Sequence, residues 1–248
     1  MGKIMRTSRW SVVSTLLTTV LVTVLSMAVS TGMSTLPASA HPHVFIKVRT
    51  LLLVEGGALV GLHHIWVLDE GWRRSLLDEN DRDGDGQLSA TELATAEAES
   101  KSTLEAFKSF TTIRHGTNRI RPGAPQDLKI ETFGDQLGMS FKVPLAKPIP
   151  LVGAELLLEV YDATYFSSYE FAGADAVTLA GAAIEGCTIT IGAASPQQLV
   201  AFKMIARQLG PEFAAKALTP QAVAISCGKV EPTGGSDAVG LHRPVVAR

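Results

Sequence analysis

The sequence predicts an α+β fold, and three observations predict it. Residues 44–54 carry apolar side chains or threonine at every second position, which is typical of a half-buried strand, and a hairpin signal follows them. Residues 81–92 are an acidic, glycine-containing segment between two helical patterns. From residue 127 onward, short apolar and β-branched runs alternate with turn signals. We therefore expect an N-terminal β-hairpin, an inserted helix-loop-helix unit, and a β-rich, sandwich-like part with one or two helices.

The first forty residues, 1–40, have the pattern of a cleavable secretory signal peptide. Three basic residues precede the uncharged apolar residues 12–29, and Ala-Ser-Ala at 38–40 forms a cleavage site. An uncleaved membrane anchor is the alternative, because the apolar run is nearly long enough to span a bilayer. Cleavage predicts an exported, periplasmic protein that begins at His41 and does not insert into the membrane.

The charge of the remaining chain limits its partners. Residues 1–40 hold three of the 22 basic residues and none of the 24 acidic ones, which leaves 19 basic against 24 acidic residues. This negative balance disfavours nucleic acids and anionic membrane surfaces.

Two strands and two helices are expected in the N-terminal part, residues 41–124. Residues 44–54 and 59–68 flank a Glu-Gly-Gly-Ala turn signal and predict a hairpin. Residues 69–80 carry apolar side chains at helical spacing, and residues 91–110 are rich in alanine and glutamate.

Between the two helices, twelve residues have the pattern of an EF-hand calcium loop. Carboxylates stand at loop positions 1, 3 and 5, glycine at 6, serine at 9 and glutamate at 12. Ca²⁺ prefers six to eight oxygen ligands, and alternate positions of a tight loop direct oxygens towards one centre. The predicted ligands are Asp81, Asp83, Asp85, the backbone carbonyl of Gln87, Ser89 through a water, and both oxygens of Glu92. The alternative is a solvated acidic turn. EF-hand loops usually occur in pairs, and the sequence shows one, so a stabilising role for calcium is favoured over that of a two-lobed sensor.

The second part, residues 125–228, is expected to be β-rich. Its predicted strands are residues 128–133, 137–145, 154–161, 187–191 and 222–227. Ser195 followed by Pro196 predicts a helix start, with that helix ending near residue 209 and a shorter one at 211–218. Residues 229–248 contain glycine and proline and predict a disordered tail.

Both cysteines, Cys187 and Cys227, lie in the part expected to be exported. An oxidising compartment favours a disulfide between them. Its 40-residue span would stabilise the fold by about 3–4 kcal/mol in the chain-entropy model. Two buried free thiols are the alternative, and a catalytic cysteine is disfavoured because an exported reactive thiol would oxidise.

Four of the six histidines lie close together, at 41, 43, 63 and 64. His41 and His43 are two residues apart, so in an extended segment their side chains point the same way. Pro42 has no N–H and excludes the square-planar chelate that needs a deprotonated amide there. The imidazoles and the new N-terminal amine remain suitable ligands for Ni²⁺, Co²⁺, Zn²⁺ or Cu²⁺.

The predicted hairpin register suggests which side chains complete such a site. A hairpin centred between Gly56 and Gly57 pairs His43 with Glu70 and places His64 opposite Arg49. In this register His64 shares a face with His43 but lies far along the strand, so Glu70 is the better-placed partner. The candidate transition-metal ligands are His41, His43, His64 and Glu70. The alternative is that His63 and His64 are ordinary strand histidines, one buried and one exposed.

Several segments together resemble one bacterial family. They are His-Pro-His-Val-Phe-Ile at 41–46, His-Ile-Trp-Val-Leu-Asp-Glu at 64–70, the acidic segment, Tyr-Asp-Ala-Thr-Tyr-Phe at 161–166, and the paired cysteines. The chain resembles the periplasmic proteins of domain-of-unknown-function family 1007, described as components of an ABC-type transport system. The resemblance implies nickel/cobalt-type exporters as neighbours and a metal-handling role. Phe45 stands where tryptophan is common in that family.

Two functional hypotheses follow. The first is a non-enzymatic periplasmic protein that holds Ca²⁺ in the loop and presents Ni²⁺, Co²⁺ or Zn²⁺ to a membrane metal transporter. The second is a calcium-stabilised structural or interaction module without a transition-metal site. An enzyme is disfavoured: the sequence has no Gly-x-Ser-x-Gly, His-Glu-x-x-His or phosphate loop. A copper monooxygenase site formed by the terminal amine and imidazole of His41 is also disfavoured, because the sequence does not place the second ligand that such a site needs.

Overall fold

The computed structural model of the protein describes residues 44–133, 136–181 and 186–228. The predicted signal peptide, His41 and His43, the turn at 134–135 and the predicted tail lie outside the described residues. None of the helices in the described ranges combines the length and hydropathy needed to cross a membrane.

Strands dominate the described residues. The strands are β1 (Val44–Glu55), β2 (Ala58–Leu68), β3 (Thr111–His115), β4 (Asn118–Ile120), β5 (Gln126–Phe133), β6 (Gln136–Pro150), β7 (Glu155–Val160), β8 (Ser167–Phe171), β9 (Val177–Gly181), β10 (Cys187–Ala193) and β11 (Gln221–Cys227). The helices are α1 (Glu70–Asn80), α2 (Ala90–Ala106), α3 (Pro196–Leu209) and α4 (Pro211–Lys216). A short 3₁₀ turn, Lys108–Phe110, follows α2.

The predicted α+β fold class is wrong. The described part of the protein is mostly β: 47% of the described residues lie in strands that form two sheets, and only four short helices occur among them. The difference arises partly from β3, β4, β8 and β9, which are only three to five residues long and therefore too short to show a strand periodicity. Strands β3, β8 and β9 pair with strands distant in sequence, and β4 pairs with its neighbour β3.

An EF-hand-like insert is also not supported as a unit of this fold. Helices α1 and α2 pack onto the sheets instead of standing apart, since Leu76, Ala96 and Leu104 belong to the same buried cluster as the strands. The Glu97 carboxylate of α2 accepts the backbone N–H of Ile130 in β5 at 3.0 Å. The helix pair is therefore part of the common core.

The first sheet has the strand order β5-β6-β2-β1-β8, and β9 also pairs with β1. Strand β1 is antiparallel to β2 on one side. On its other side it pairs in parallel with β8 along its first half and with β9 along its second half. The predicted hairpin thus forms the centre of a sheet rather than a separate unit.

The second sheet has the strand order β10-β11-β7-β3-β4. Both sheets combine strands from residues 41–124 with strands from residues 125–228. Apolar side chains of both sheets form one buried cluster, including Leu52, Trp66 and Phe141 from the first and Leu158 and Val223 from the second. The two sequence ranges therefore fold together.

The predicted alternation of β1 is confirmed, because every second residue from Val44 to Val54 is buried. Its register is shifted from the expected one. His64 lies opposite Thr50 rather than Arg49. An irregularity at Leu53/Val54 displaces the pairing by one residue between the turn and the rest of the hairpin.

Cys187 and Cys227 form a disulfide, as expected. They lie directly opposite each other in the pairing of β10 with β11. The bond fastens β10, one of the two edge strands of the second sheet, to its neighbour. A disulfide is compatible with export to an oxidising compartment.

Candidate metal centre

The acidic loop (residues 81–92) begins where α1 ends and extends into the first turn of α2. Asp69 caps the start of α1 by accepting the N–H of Trp72 at 2.9 Å, and it also accepts the N–H of Phe45 in β1 at 2.8 Å. Asp81 caps the end of α1 through its own N–H, which donates to the Leu77 carbonyl at 2.8 Å. The helix start is thus tied to β1, and its end leads directly into the loop.

Three carboxylates of the loop converge. Oxygen atoms of Asp81, Asp83 and Asp85 all lie within 4.8 Å of one another. The Asp81 carboxylate also organises the turn, since it accepts the N–H groups of Gly84 at 2.7 Å and Gly86 at 2.8 Å. Three converging carboxylates offer the hard oxygen ligands that Ca²⁺ prefers.

Glycine is required at two positions of this turn. Gly84 and Gly86 have φ angles of +74° and +78°, in the left-handed region that other residues adopt at a cost. Gly86 stands at loop position 6, where a calcium loop turns sharply. Asp85 bridges the same region by accepting the N–H of Gln87 at 2.7 Å.

The far end of the loop is built as a capping box. Glu92 Oε2 accepts the Ser89 N–H at 2.8 Å, and the Ser89 hydroxyl accepts the Glu92 N–H at 3.4 Å. The second Glu92 oxygen accepts the N–H of Arg82 at 2.7 Å, across the loop. Glu92 is only 6% exposed. Its two oxygens therefore join both ends of the loop.

The loop charges act on each other. The Asp85 N–H lowers the pKa of Asp83, but repulsion from Asp85, Glu92 and Asp81, together with partial desolvation, raises that pKa above its ordinary value. The Arg82 N–H and the Ser89 hydroxyl and N–H lower the pKa of Glu92. Crowded like charges of this kind are relieved by a bound cation.

His64 occupies a different environment from the one expected of a metal ligand. It is fully buried beside the rings of Phe141 and Trp66, with ring centroids 5.3 Å and 5.9 Å away. Its Nδ1 lies 2.9 Å from the Thr50 hydroxyl, and its Nε2 lies 3.2 Å from the Thr111 hydroxyl. Both ring nitrogens are therefore engaged within the core, where His64 connects β2 and β1 of the first sheet with β3 of the second.

The hydrogen bonds fix the tautomer of His64. The Thr111 hydroxyl donates its proton to the Ser109 carbonyl at 2.7 Å, so its oxygen accepts from Nε2–H of the ring. Nδ1 then accepts from the Thr50 hydroxyl. Burial, aided by the neighbouring His63, lowers the pKa of His64 to about 3, which keeps the ring neutral.

The remaining predicted ligands are not assembled around His64. Glu70 is exposed at the start of α1, where it pairs with Arg73 and Arg74. His63 points to the opposite face of β2 and is half-buried, and burial lowers its pKa. His41 and His43 lie outside the described residues.

The family "Protein of unknown function (DUF1007)" matches residues 26–227 of the chain. This range includes nearly every described residue, the acidic loop and both cysteines. The chain belongs to this family. The family description gives no activity, and the transport role that the resemblance implied is not supported by the match.

An uncharacterized protein of Haemophilus influenzae is similar to this DUF1007 chain. The two are 28% identical over 147 residues, which cover 56% of the chain and 66% of the relative. The chain thus spans just under two thirds of the length of that protein.

Sequence reasoning missed the hydroxyl partners of the buried histidine in this DUF1007 protein. Thr50 stands at a buried position of the β1 alternation, and a polar group on a buried face needs a hydrogen-bond partner. That signal could have paired Thr50 with a histidine of β2. No sequence pattern pointed to Thr111, because β3 lies in the other sheet.

Proposed function

We propose that the acidic loop binds one Ca²⁺ ion and that calcium stabilises the helix pair on the sheets of an exported DUF1007 protein. The convergence of the Asp81, Asp83 and Asp85 carboxylates within 4.8 Å carries this proposal. The backbone carbonyl of Gln87, the Ser89 side chain through a water, and Glu92 complete the oxygen set expected for Ca²⁺.

The bonds of Glu92 suggest how calcium would act. In the structure its oxygens hold the N–H groups of Arg82 and Ser89, and the capping box already fixes its backbone at the start of α2. A cation at the Asp81–Asp83–Asp85 cluster would attract this carboxylate as its closing ligand. Binding would then fasten the end of α1 to the start of α2 and cancel the repulsion that raises the pKa of Asp83.

The loop is coupled to the core beneath it. Leu88, at loop position 8, is half-buried and packs against the core cluster, and Leu76 and Ala96 bury the facing sides of α1 and α2. Ordering the loop therefore restrains two helices that cover the first sheet. This arrangement supports a structural role for calcium.

A periplasmic location is part of the proposal. It rests on the Cys187–Cys227 disulfide and on the predicted signal peptide of residues 1–40. Extracellular calcium modules function with dissociation constants of about 10⁻⁴–10⁻³ M, which suits a site with an exposed Asp83 and Asp85.

A transition-metal site remains a prediction for His41 and His43 alone, because His64 is enclosed by hydroxyl partners. Its test is a calorimetric titration of Ni²⁺ into calcium-saturated protein, with His41→Ala/His43→Ala as the variant. Loss of nickel binding in that variant would support the site and the proposed link to a metal transporter. If the unaltered protein binds no nickel, both the histidine site and the proposed link to a metal transporter are wrong.

Thermal unfolding tests the calcium proposal. Ca²⁺ at about 100 times its dissociation constant should stabilise the protein by about 2.7 kcal/mol. For a domain of this size the melting temperature should rise by about 5–10 °C. Asp81→Asn should abolish the rise, while Asp78→Asn, in α1 but outside the loop, should retain it. An equal rise in both variants would overturn the proposal.

A further inference from the structure

A cavity of about 780 Å³ lies between the helix pair and the first sheet. Its walls come from the starts of β1 and β8, the end of β2, the inner sides of α1 and α2, and the turn after α2. Its volume is within the range of small-molecule sites, about 300–1,000 Å³. The side chains that a molecule in this cavity can reach therefore decide what it could bind.

Aromatic rings that solvent can reach line one part of the cavity. Phe107 is 52% exposed, Phe166 is 47% exposed, and Trp72 is half-buried. The ring of Phe107 stacks on that of Phe110, with the two centroids 5.1 Å apart. Covering such rings with an apolar group is favourable, because it removes apolar surface from water. This part of the cavity suits the apolar body of a ligand.

Carboxylates supply all the charge among the described lining residues, which include no lysine, arginine or histidine. Glu79 of α1 and Glu99 of α2 are exposed, so a molecule in the cavity can reach them. Within the described ranges, neither of them forms an ion pair. Asp162 is buried in the wall, where its oxygens accept the N–H groups of Thr164 at 2.8 Å and Ser167 at 3.1 Å. The cavity therefore has a negative lining that a cation would compensate.

The negative potential extends to the ring of Tyr169, which also lines the cavity. Burial raises the pKa of the Tyr169 hydroxyl well above its ordinary value, and the charge of Asp162 adds to this rise. The charge of Asp162 thus disfavours further negative charge at this wall. The same potential attracts a cation and repels an anion.

The reachable carboxylates and rings lie at different positions along the two helices. On α1, Glu79 lies close to the acidic loop, and Trp72 lies about two turns further from it. On α2, Glu99 is closer to the loop than Phe107, again by about two turns. At about 1.5 Å per residue, each carboxylate is roughly 10–12 Å along the helix from the ring on the same helix. A ligand that uses both features has its charge at one end and its apolar body at the other.

We propose that this cavity binds an organic monocation with an apolar body. The body lies against Trp72 and Phe107. The ammonium group faces Glu79 and Glu99. An uncharged molecule would leave these carboxylates without a partner, and an inorganic cation would leave the rings exposed. This inference goes beyond calcium binding and does not depend on it, since none of residues 81–92 lines the cavity.

Calorimetric titrations with three probes of similar size test the selection by charge. At neutral pH 4-phenylbutylamine is a cation, 4-phenylbutan-1-ol is uncharged and 4-phenylbutanoate is an anion. We expect one amine to bind per protein, at least about 5-fold more tightly than the alcohol, because it contacts two exposed carboxylates. The anion should bind more weakly than the alcohol, and sodium chloride should reduce the preference for the amine. Equal affinities for amine and alcohol, or no saturable binding of the amine, would overturn the inference.

Two double variants locate the ammonium group. Glu79→Gln/Glu99→Gln should bring the affinity for the amine to within about 2-fold of that for the alcohol, and should leave the affinity for the alcohol unchanged. Asp78→Asn/Glu105→Gln removes two carboxylates from the same helices outside the cavity, and it should change neither affinity. An equal loss of amine binding in both double variants would reflect net charge alone and would contradict the site.

Two tryptophan variants locate the apolar body. Ser100 lines the cavity, whereas Ser102 lies on the same helix outside it. Ser100→Trp should fill the cavity and abolish binding of both the amine and the alcohol, and Ser102→Trp should preserve both. Equal effects of the two variants would contradict the proposed site. If Ser100→Trp does not fold, Phe107→Ala decides: it should weaken amine and alcohol by the same factor, and unchanged binding of both would overturn the inference.

Discussion

Glu92 accepts the backbone N–H of Arg82 at 2.7 Å, so the last residue of the acidic loop is bonded to its second residue. The other Glu92 oxygen serves the capping box of α2. One carboxylate thus closes the loop and starts the helix. In the calcium-bound state proposed here, the same two oxygens would belong to the ion.

This relationship separates the capping role of Glu92 from its proposed calcium role. Glutamine at this position can still accept the Ser89 N–H, because capping boxes use Glu or Gln. Glu92→Gln should therefore change the unfolding free energy without calcium by less than about 1 kcal/mol. Its calcium affinity should fall at least about 10-fold, since a two-oxygen anionic ligand is replaced by a neutral one.

The measurement is a pair of urea unfolding curves, with and without calcium. Glu105→Gln, in the same helix but outside the loop, is the matched control and should behave as the unaltered protein. Calcium stabilisation of Glu92→Gln equal to that of the control would show that Glu92 is only a capping residue.

Asp83 should have opposite effects in the absence and presence of calcium. Its folded-state pKa is raised, so without calcium the ionised side chain destabilises the fold at neutral pH, and this destabilisation disappears as the pH falls through the raised pKa. Asp83→Asn should therefore raise the melting temperature in a chelator and lower it in calcium. Differential scanning calorimetry in both buffers measures the change, with Asp78→Asn as the control. A lower melting temperature in both buffers would contradict the repulsion argument.

His64 should make the stability depend on pH. Its pKa is about 3 in the folded protein against an ordinary value of 6.5, so its contribution is complete above pH 6.5 and is lost as the pH falls towards 3. The slope should approach about 1.4 kcal/mol per pH unit. His64→Gln, which can bond both hydroxyls, should lack this slope. Urea midpoints between about pH 7 and about pH 5 measure it, and parallel curves for the two proteins would contradict the buried neutral histidine.

The regular alternation of β1 was sufficient to predict its buried face, and the Ser195-Pro196 signal correctly predicted the start of α3. Ser195 caps that helix by accepting the Gln198 N–H. These features are local, because the periodicity and the cap belong to a few consecutive residues. The boundaries of α1 and the start of α2 were also close to the predicted ones, whereas α2 ends at Ala106 and not near residue 110.

The fold class and the surroundings of His64 could not be predicted from such local patterns, because both depend on contacts between distant segments. Parallel pairing of β1 with β8 and β9 joins segments more than a hundred residues apart. The displaced register at Leu53/Val54 changed the partner of His64 from Arg49 to Thr50. A one-residue shift alters every cross-strand partner, and the sequence does not fix such an irregularity.

The disulfide should contribute strongly to stability. Its 40-residue separation corresponds to about 4 kcal/mol in the chain-entropy model. It also holds the edge strand β10, on which no residue is fully buried. Cys187→Ser/Cys227→Ser should lower the melting temperature by about 10 °C. Reductant should lower the melting temperature of the unaltered protein by a similar amount and leave that of the variant unchanged. A variant as stable as the oxidised protein would show that the disulfide does not stabilise the fold.

An isothermal calorimetric titration of Ca²⁺ decides whether the acidic loop binds calcium. We expect one site per protein with a dissociation constant below about 1 mM, and no saturable heat from Asp81→Asn. If the unaltered protein shows no saturable heat up to about 10 mM Ca²⁺, the loop is a solvated acidic turn and the claim is wrong.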